Sequence, residues 1–347
     1  MEMTNAYERP RVPASGLRLH FNENTAGCSP AVLAALREIA PEDISFYPDY
    51  AAITTTVERY FGVPGGWVQL TNGLDEGLHV VAQWAARQEA PAVIIPEPAF
   101  EMYAAAADGV GAEIIRVAPE PDFRFAIEAI LRAIRPAVRL IYLTDPNNPT
   151  GLGIPAGAVE RIAAAAPNAL VLVDEAYADF SGRTLIGPPL ERCRNLIVGR
   201  TFAKAHGLAA LRVGALVAHP DTLAPLRRLL PPYSLNICAV RALAAAIEDT
   251  AYRDWYVGEA RDSRQLVYDF AHRHGLQAWP SEANFVLVRV GPEASAAVAA
   301  MAARAVHVRD KSQAPGCEGC IRITTGVVAH TEACLEVLEV VLAPRRR

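Results

Sequence analysis

A three-layer α/β/α arrangement, built on a mainly parallel sheet and followed by a small α+β domain, is the fold class this sequence predicts. Uninterrupted runs of Val, Ile and Leu recur at 68–70, 92–95, 114–117, 140–143, 170–173, 196–198 and 213–217. Runs without polar alternation belong to strands buried on both faces, and the gaps between most of them are long enough for covering helices. Beyond Pro220 the texture turns helical and then gives a strand-helix-strand-strand-helix order, the pattern of a compact α+β unit.

In chain order, 17–21 reads as a short strand. Ser29 and Pro30 then open a helix over 31–40, with serine at the N-cap and proline at the first helical position. A turn at 47–50 leads to an amphipathic helix over 52–61. Strand 68–70 passes through the glycine turn 71–75 into a helix over 76–87. Strand 92–95 is broken by Pro96 and Pro98 before a helix over 100–108. After Pro220, helices are expected over 222–230 and in the Ala/Arg/Glu-rich stretch 238–274. The end of the chain reads as strand 284–288, helix 294–305, strand 306–308, a loop over 310–319, strand 321–325 and helix 332–342.

With 347 residues, 52% of them hydrophobic, the chain can bury a large core, usually split over two domains. A net charge of −5 without a dense basic face excludes nucleic acid as the main partner. The terminal Arg345, Arg346 and Arg347 are too few to change that. No run reaches the roughly 18 apolar residues of a membrane span, and Met1 to Arg11 carry no apolar leader, so a cytoplasmic protein is expected. Six scattered cysteines fit a reducing compartment. The Cys317/Cys320 pair lacks a second pair or a histidine at zinc spacing, so no metal is expected.

In parallel α/β sheets ligands sit beyond the carboxyl ends of the strands. After 140–143 comes D-P-N-N-P-T-G, a turn stiffened by two prolines that presents the Asn148 amide. After 170–173 comes Asp174 with Tyr177 three residues on. A buried carboxylate there needs a cation or strong donor, which a protonated ring nitrogen or a core ion pair would each supply. After 68–70, a glycine turn opens a helix whose first N–H groups suit a phosphate, with Arg212 as countercharge. After 92–95, Tyr103 either lies against an aromatic ligand or packs in the core. After 196–199 comes R-T-F-A-K-A-H-G-L-A-A-L-R-V-G. Its single lysine, Lys204, has a largely apolar setting with a cation, Arg212, eight residues on, and such a setting lowers an amine pKa and favours Schiff-base chemistry.

D-P-N-N-P-T-G, V-D-E-A-Y and T-F-A-K with Arg212 eight residues on, in this order, resemble a fold-type I pyridoxal-phosphate enzyme over nearly the whole chain. The segments L-H-F-N-E-N, F-Y-P-D, T-N-G-L-D-E and V-R-D-K-S-Q-A-P-G-C-E-G-C-I-R-I-T-T-G are most similar to the histidinol-phosphate aminotransferase family. The resemblance implies pyridoxal 5'-phosphate as cofactor, an N-terminal arm over 1–35 joining a small domain over 252–347, and a large cofactor-binding domain over 36–251. It implies that Lys204 carries the cofactor as a Schiff base and then serves as acid and base, and that Asp174 keeps the pyridine nitrogen protonated. Tyr177 and Asn148 would bond the ring hydroxylate, Tyr103 would stack on the ring, and the N–H groups of Leu74 and Asp75 with Arg212 would hold the phosphate. Tyr47 would reach the phosphate of a neighbouring subunit, hence a homodimer with shared sites. Arg309 and Arg322, with Asn24 and Asn148, would bind the substrate, whose anionic end the two arginines take.

The chain departs from the family pattern at Ala203, where serine is usual, at His206 in place of an aromatic residue, at Leu74 in place of a small or hydroxyl residue, and at Thr25 and Ala26 in place of Pro-Tyr. These departures keep two neighbouring activities open: a repurposed amino-acid aminotransferase of specialised metabolism, and a decarboxylase acting on threonine phosphate. A cofactor-sensing regulator is disfavoured because the stretch before the first helix is too short and too weakly basic for a DNA-binding segment. A dinucleotide-binding domain is excluded because Gly109 and Gly111 lack the third glycine and lie between a helix and a strand, the reverse of the required order.

Overall fold

Twelve strands carry the described part of the molecule: β1 Leu17–Leu19, β2 Val68–Thr71, β3 Ala92–Pro96, β4 Glu113–Val117, β5 Val138–Thr144, β6 Leu170–Asp174, β7 Leu196–Thr201, β8 Gly214–Ala218, β9 Gln277–Ala278, β10 Phe285–Arg289, β11 Val306–Asp310 and β12 Cys320–Thr324. The computed structural model describes residues 12–87 and 89–343. The N-terminal stretch Met1 to Arg11 and the three terminal arginines lie outside the described residues.

Seven strands form one sheet in the order β2-β8-β7-β6-β5-β3-β4. Only β8 is reversed, pairing antiparallel with both β2 and β7. The other six run the same way, so the carboxyl ends of β2, β3, β5, β6 and β7 share one edge. The apolar runs are buried on both faces, as their lack of alternation predicts. Ile141, Leu143, Val171, Val173 and Val198 enter one core cluster. Leu140, Tyr142, Leu170, Leu172 and Ile197, their neighbours in the chain, enter the other. This is period two with helices on both sides. Each such aliphatic side chain contributes roughly 1.5–3 kcal/mol relative to an exposed one.

The second sheet has the order β1-β11-β12-β10-β9. Its N-terminal strand pairs parallel to β11, and the remaining pairs are antiparallel. Leu19, Val267, Phe270, Val286, Ile321 and Ile323 fill its core. A smaller cluster, including Tyr177, Phe180, Tyr256 and Phe285, joins it to the large sheet.

Several element boundaries differ from the sequence expectation for local reasons. The helix expected over 76–87 is Gly73–Ala85. Gly73 has φ +72°, which lets the chain turn from β2 into the helix almost at once. The stretch 238–274 is two helices, Ile237–Glu248 and Thr250–Arg273. The break is at Asp249, whose carboxylate caps the second by accepting the Tyr252 N–H at 3.1 Å. Ser29 caps its helix as expected, accepting from the Val32 N–H. Helix Pro41–Ser45 was not foreseen, since five residues are too few to show a period. Among the described residues no helix is long and apolar enough to cross a membrane.

Candidate active site

A cavity of about 210 Å³ opens where the shared carboxyl edge of the large sheet faces β11 and β12 of the small one. Asp174, the last residue of β6, is buried in its wall. Its carboxylate accepts the Tyr103 hydroxyl at 2.8 Å and the Ala176 N–H at 2.9 Å. Burial pushes its pKa up to about 6, with those two hydrogen bonds opposing. Among the described residues no cation lies within ion-pair distance of it. The core ion pair weighed for this position belongs to its neighbour Glu175, which faces Arg200 at 3.7 Å.

Lys204 follows the end of β7. Its Nζ donates to the carbonyl oxygen of Phe21 at 3.0 Å and lies 5.9 Å from the centre of the Tyr177 ring. Burial, and next the Arg322 charge, lower its pKa to about 8, against the pull of Glu23, Asp75 and Asp174. The buried setting expected from sequence is present, but the cation that acts on the amine is Arg322 from the small sheet and not Arg212 of its own segment, which turns to Asp75 instead. Tyr177 accepts from the Asn22 amide at 2.9 Å, and burial raises its pKa to about 12.

Helix Gly73–Ala85 points its N-terminus at the same cavity, and its first-turn N–H groups at Leu74 and Asp75 have no partner within the helix. Arg212 lies over this turn, with one guanidinium nitrogen 2.8 Å from Asp75 Oδ2. A Cβ on Gly73 would stand 2.4 Å from that guanidinium, and one on Gly214 would stand 2.6 Å from the Leu74 nitrogen. The backbone is pressed around a small positive cradle that a side chain would fill. The Leu74 side chain itself packs over Gly199, where an added Cβ would meet it at 2.8 Å.

Opposite, Arg322 donates to Asn148 Oδ1 and, at 2.7 Å, to the His20 carbonyl. Arg309 is its cross-strand partner. The Tyr103 ring is 1% exposed and stacks on Tyr142 at 4.9 Å. Thus Lys204, Asp174, Tyr177, Leu74, Asp75, Tyr103, Asn148, Arg212, Arg309 and Arg322 all line one cavity. Two expected site residues do not. Asn24 spends its amide on the Ala205 carbonyl at 3.0 Å, bracing the lysine loop from behind, and Asn22 takes the place in the wall. Tyr47 is 77% exposed and stacks on Tyr233 at 4.2 Å.

Of the sequence departures, Leu74 and Ala203 line the cavity. His206 is buried behind the loop, its Nε2 3.4 Å from the Tyr60 hydroxyl. Thr25 Oγ1 accepts the Val327 N–H at 2.9 Å. Sequence reasoning missed Asn22, Thr144, Thr201, Glu101 and Lys311, all in the wall. Two had a legible signal: Thr144 directly follows the run 140–143, and Lys311 lies two residues beyond Arg309 and so on the same face if the strand continued.

The family model for aminotransferase class I and II matches residues 14–341. Histidinol-phosphate aminotransferase 2 of Ralstonia nicotianae is 37% identical over 342 residues, covering 94% of this chain and 89% of the relative. The crystal structure of histidinol-phosphate aminotransferase from Sinorhizobium meliloti in complex with pyridoxal-5'-phosphate is 29% identical, with a TM-score of 0.85 over 94% of this chain and 91% of that one. L-threonine-O-3-phosphate decarboxylase from Porphyromonas gingivalis, 23% identical with a TM-score of 0.78 over 93% of this chain and 98% of that one, shares the fold. The cavity suits such a cofactor chemically: a phosphate fits the Gly73 cradle, a pyridine nitrogen fits the buried Asp174 carboxylate, and an aldehyde fits the low-pKa amine of Lys204. By sequence, fold and donor set, this chain belongs to the aminotransferase class I and II family and is a pyridoxal-phosphate-dependent aminotransferase.

Proposed function

We infer that this aminotransferase moves an amino group between a glutamate-type donor and imidazole-acetol phosphate, in the manner of histidinol-phosphate aminotransferase, and that it works as a homodimer. The observation that carries the substrate class is the cationic wall. Arg309 and Arg322 are cross-strand partners on β11 and β12, and Lys311 joins them in the cavity lining. A phosphate ester and a dicarboxylate both need such a wall, and in a ping-pong exchange one pocket must take both.

When bound, pyridoxal phosphate supplies the carbonyl that takes up the amino group and a ring that accepts the electron pair of the breaking bond. Every other task falls to the chain. Lys204 Nζ, kept near a pKa of 8, takes the proton from the substrate α-carbon and returns it. Asp174 would accept a hydrogen bond from the ring nitrogen and keep it protonated. Asn148 and Tyr177 orient the ring oxygen, and Tyr103 fixes the Asp174 carboxylate. The N–H groups of Leu74 and Asp75, with Arg212, would hold the phosphate. Arg322, whose terminal nitrogens donate to Asn148 Oδ1 and the His20 carbonyl, would exchange those acceptors for the substrate carboxylate.

The dimer reading rests on an exposed apolar patch. Ile44, Phe46, Tyr47 and Tyr233 are all large and exposed, although Tyr47 and Tyr233 are already stacked on each other. Such a patch marks an interaction surface, and a second copy would let Tyr47 reach a neighbouring phosphate.

Single-turnover spectroscopy of the purified protein tests the substrate. Histidinol phosphate should convert the cofactor to its amine form rapidly, and glutamate should do so too. Conversion by another amino acid but not by histidinol phosphate would place the enzyme on a different amine. Release of carbon dioxide from threonine phosphate would replace amino transfer altogether.

A further inference from the structure

Glu101 opens the helix Glu101–Asp108, which follows β3 of the large sheet. Its carboxylate crosses the cleft to the small sheet: Oε1 accepts from Lys311 Nζ at 2.6 Å and stands 3.9 Å from a guanidinium nitrogen of Arg309. Lys311 is nearly enclosed, its side chain 6% exposed against 44% for Glu101. Alternation along β11 and the residue after it puts His307, Arg309 and Lys311 on one face, and Arg309 is in register with Arg322. His20 adds no charge there. Burial, then His307, Arg18, Arg309 and Arg322, hold its pKa down to about 4. Glu101 is therefore the carboxylate that faces this wall and pairs with it. It stays ionised: burial is the largest single influence and works to raise its pKa, but the Lys311 charge and hydrogen bond, its own backbone N–H and the Arg309 charge together hold it below the usual carboxylate value.

Position adds a second observation. Glu101, Arg309 and Lys311 line both the cavity that contains Lys204 and an adjoining outer cavity of about 750 Å³. A substrate reaching from Lys204 toward the outer cavity would pass the Glu101 carboxylate, which borders both.

We propose that Glu101 is an internal stand-in for the substrate's distal anion, occupying the Lys311 and Arg309 cations in the empty cleft and giving way to a dianionic group such as a phosphate ester. This rests on reading the Arg309 and Arg322 wall as the substrate-anion site. A tail with one carboxylate exchanges one anion for an equivalent one and gains little. A phosphate dianion brings more charge and three acceptor oxygens, so the exchange favours it. The lysine and arginine also avoid standing unpaired in a half-buried cleft when no substrate is present, which would be costly.

The test is a double-mutant cycle on the cofactor-loaded enzyme, read as the dissociation constant of inorganic phosphate by titration calorimetry. Glu101→Gln keeps the shape and removes the competitor, so phosphate should bind about tenfold more tightly. In a Lys311→Met background the same change should have less than about a twofold effect. Lys311→Arg, which keeps the charge, must keep the effect. Weaker phosphate binding in Glu101→Gln would make Glu101 a residue that positions Lys311, and equal binding would make it a structural ion pair; either overturns the proposal. Because the readout is phosphate binding, a failure of histidinol phosphate as substrate leaves this test intact and is recognised separately.

Discussion

Tyr103 donates its phenolic hydrogen to Oδ2 of Asp174 at 2.8 Å, joining residues 71 positions apart, and the same hydroxyl lies 2.7 Å from Thr144 Oγ1. The contact holds a buried carboxylate in a fixed orientation with no ion-pair partner among the described residues, the more distant Lys204 charge opposing burial only weakly. Burial raises the Asp174 pKa from 3.8 to about 6. An acid whose pKa is raised by folding holds its proton more tightly in the folded state. Its contribution to stability is therefore complete below pH 4 and lost as pH rises through about 6. From pH 4 to 7 the cofactor-free enzyme should lose about 2 kcal/mol of stability relative to Asp174→Asn. Chemical denaturation of both proteins at the two pH values measures this, and parallel pH profiles would remove Asp174 as the source. Loading with cofactor should reduce the loss, because a protonated ring nitrogen favours the ionised carboxylate.

Lys204 and Arg322 are coupled across the two sheets. After burial, the Arg322 charge is the largest cause of the Lys204 pKa falling from 10.5 to about 8. Cofactor-free enzyme should capture added pyridoxal phosphate with a rate that rises with pH around a midpoint near 8, as the free amine forms. Arg322→Gln should move that midpoint upward, since the repelling charge is gone. Stopped-flow absorbance gives both midpoints, and an unmoved midpoint would break the coupling. Lys204→Ala should show neither the absorbance band of the lysine-bound cofactor nor turnover, and full activity in that variant would remove the lysine from the chemistry.

Most of the large sheet and the motif residues on it were legible because each signal is local. Apolar runs announce strands such as Leu170–Asp174, and the residues after them face the ligand edge. Much of what was not legible depends on contacts between segments far apart in sequence. Asn22 reaches Tyr177, and the Phe21 carbonyl takes the Lys204 amine. Glu101 meets Lys311 across 210 positions. None has a local pattern, since its role exists only when the two sheets face each other. Asn24 shows the same limit in reverse. It and Asn22 sit two apart in one motif, yet only Asn22 lines the cavity, while Asn24 braces the Ala205 carbonyl.

Gly73 is fixed by two independent constraints. Its φ of +72° disfavours any side chain, and a Cβ there would stand 2.4 Å from the Arg212 guanidinium. Gly73→Ala should displace Arg212 and strain the turn. Losing one charge-assisted contact to a phosphate, worth roughly 1.5–3 kcal/mol, should raise the cofactor dissociation constant by about tenfold to a hundredfold. Fluorescence titration of the cofactor-free variant measures it. An unchanged constant would mean that the phosphate does not lie in this cradle.

Ala203 offers the converse experiment, a gain. It lines the cavity beside Lys204, and its N–H is already engaged with Thr201 Oγ1 at 3.2 Å, so the backbone there is held in place. A serine at this position adds a hydroxyl without altering that anchor. If the hydroxyl reaches the cofactor phosphate, one hydrogen bond to a charged group is added, worth roughly 1.5–3 kcal/mol at most. Ala203→Ser should then tighten cofactor binding by about tenfold or more, with little effect on the rate of the proton transfer proposed for Lys204. Dialysis against buffer, followed by absorbance of the retained cofactor, compares the two proteins directly. Equal loss from both would show that the Thr201 hydroxyl, also in the wall, or the helix N-terminus already satisfies the phosphate where serine would have done so.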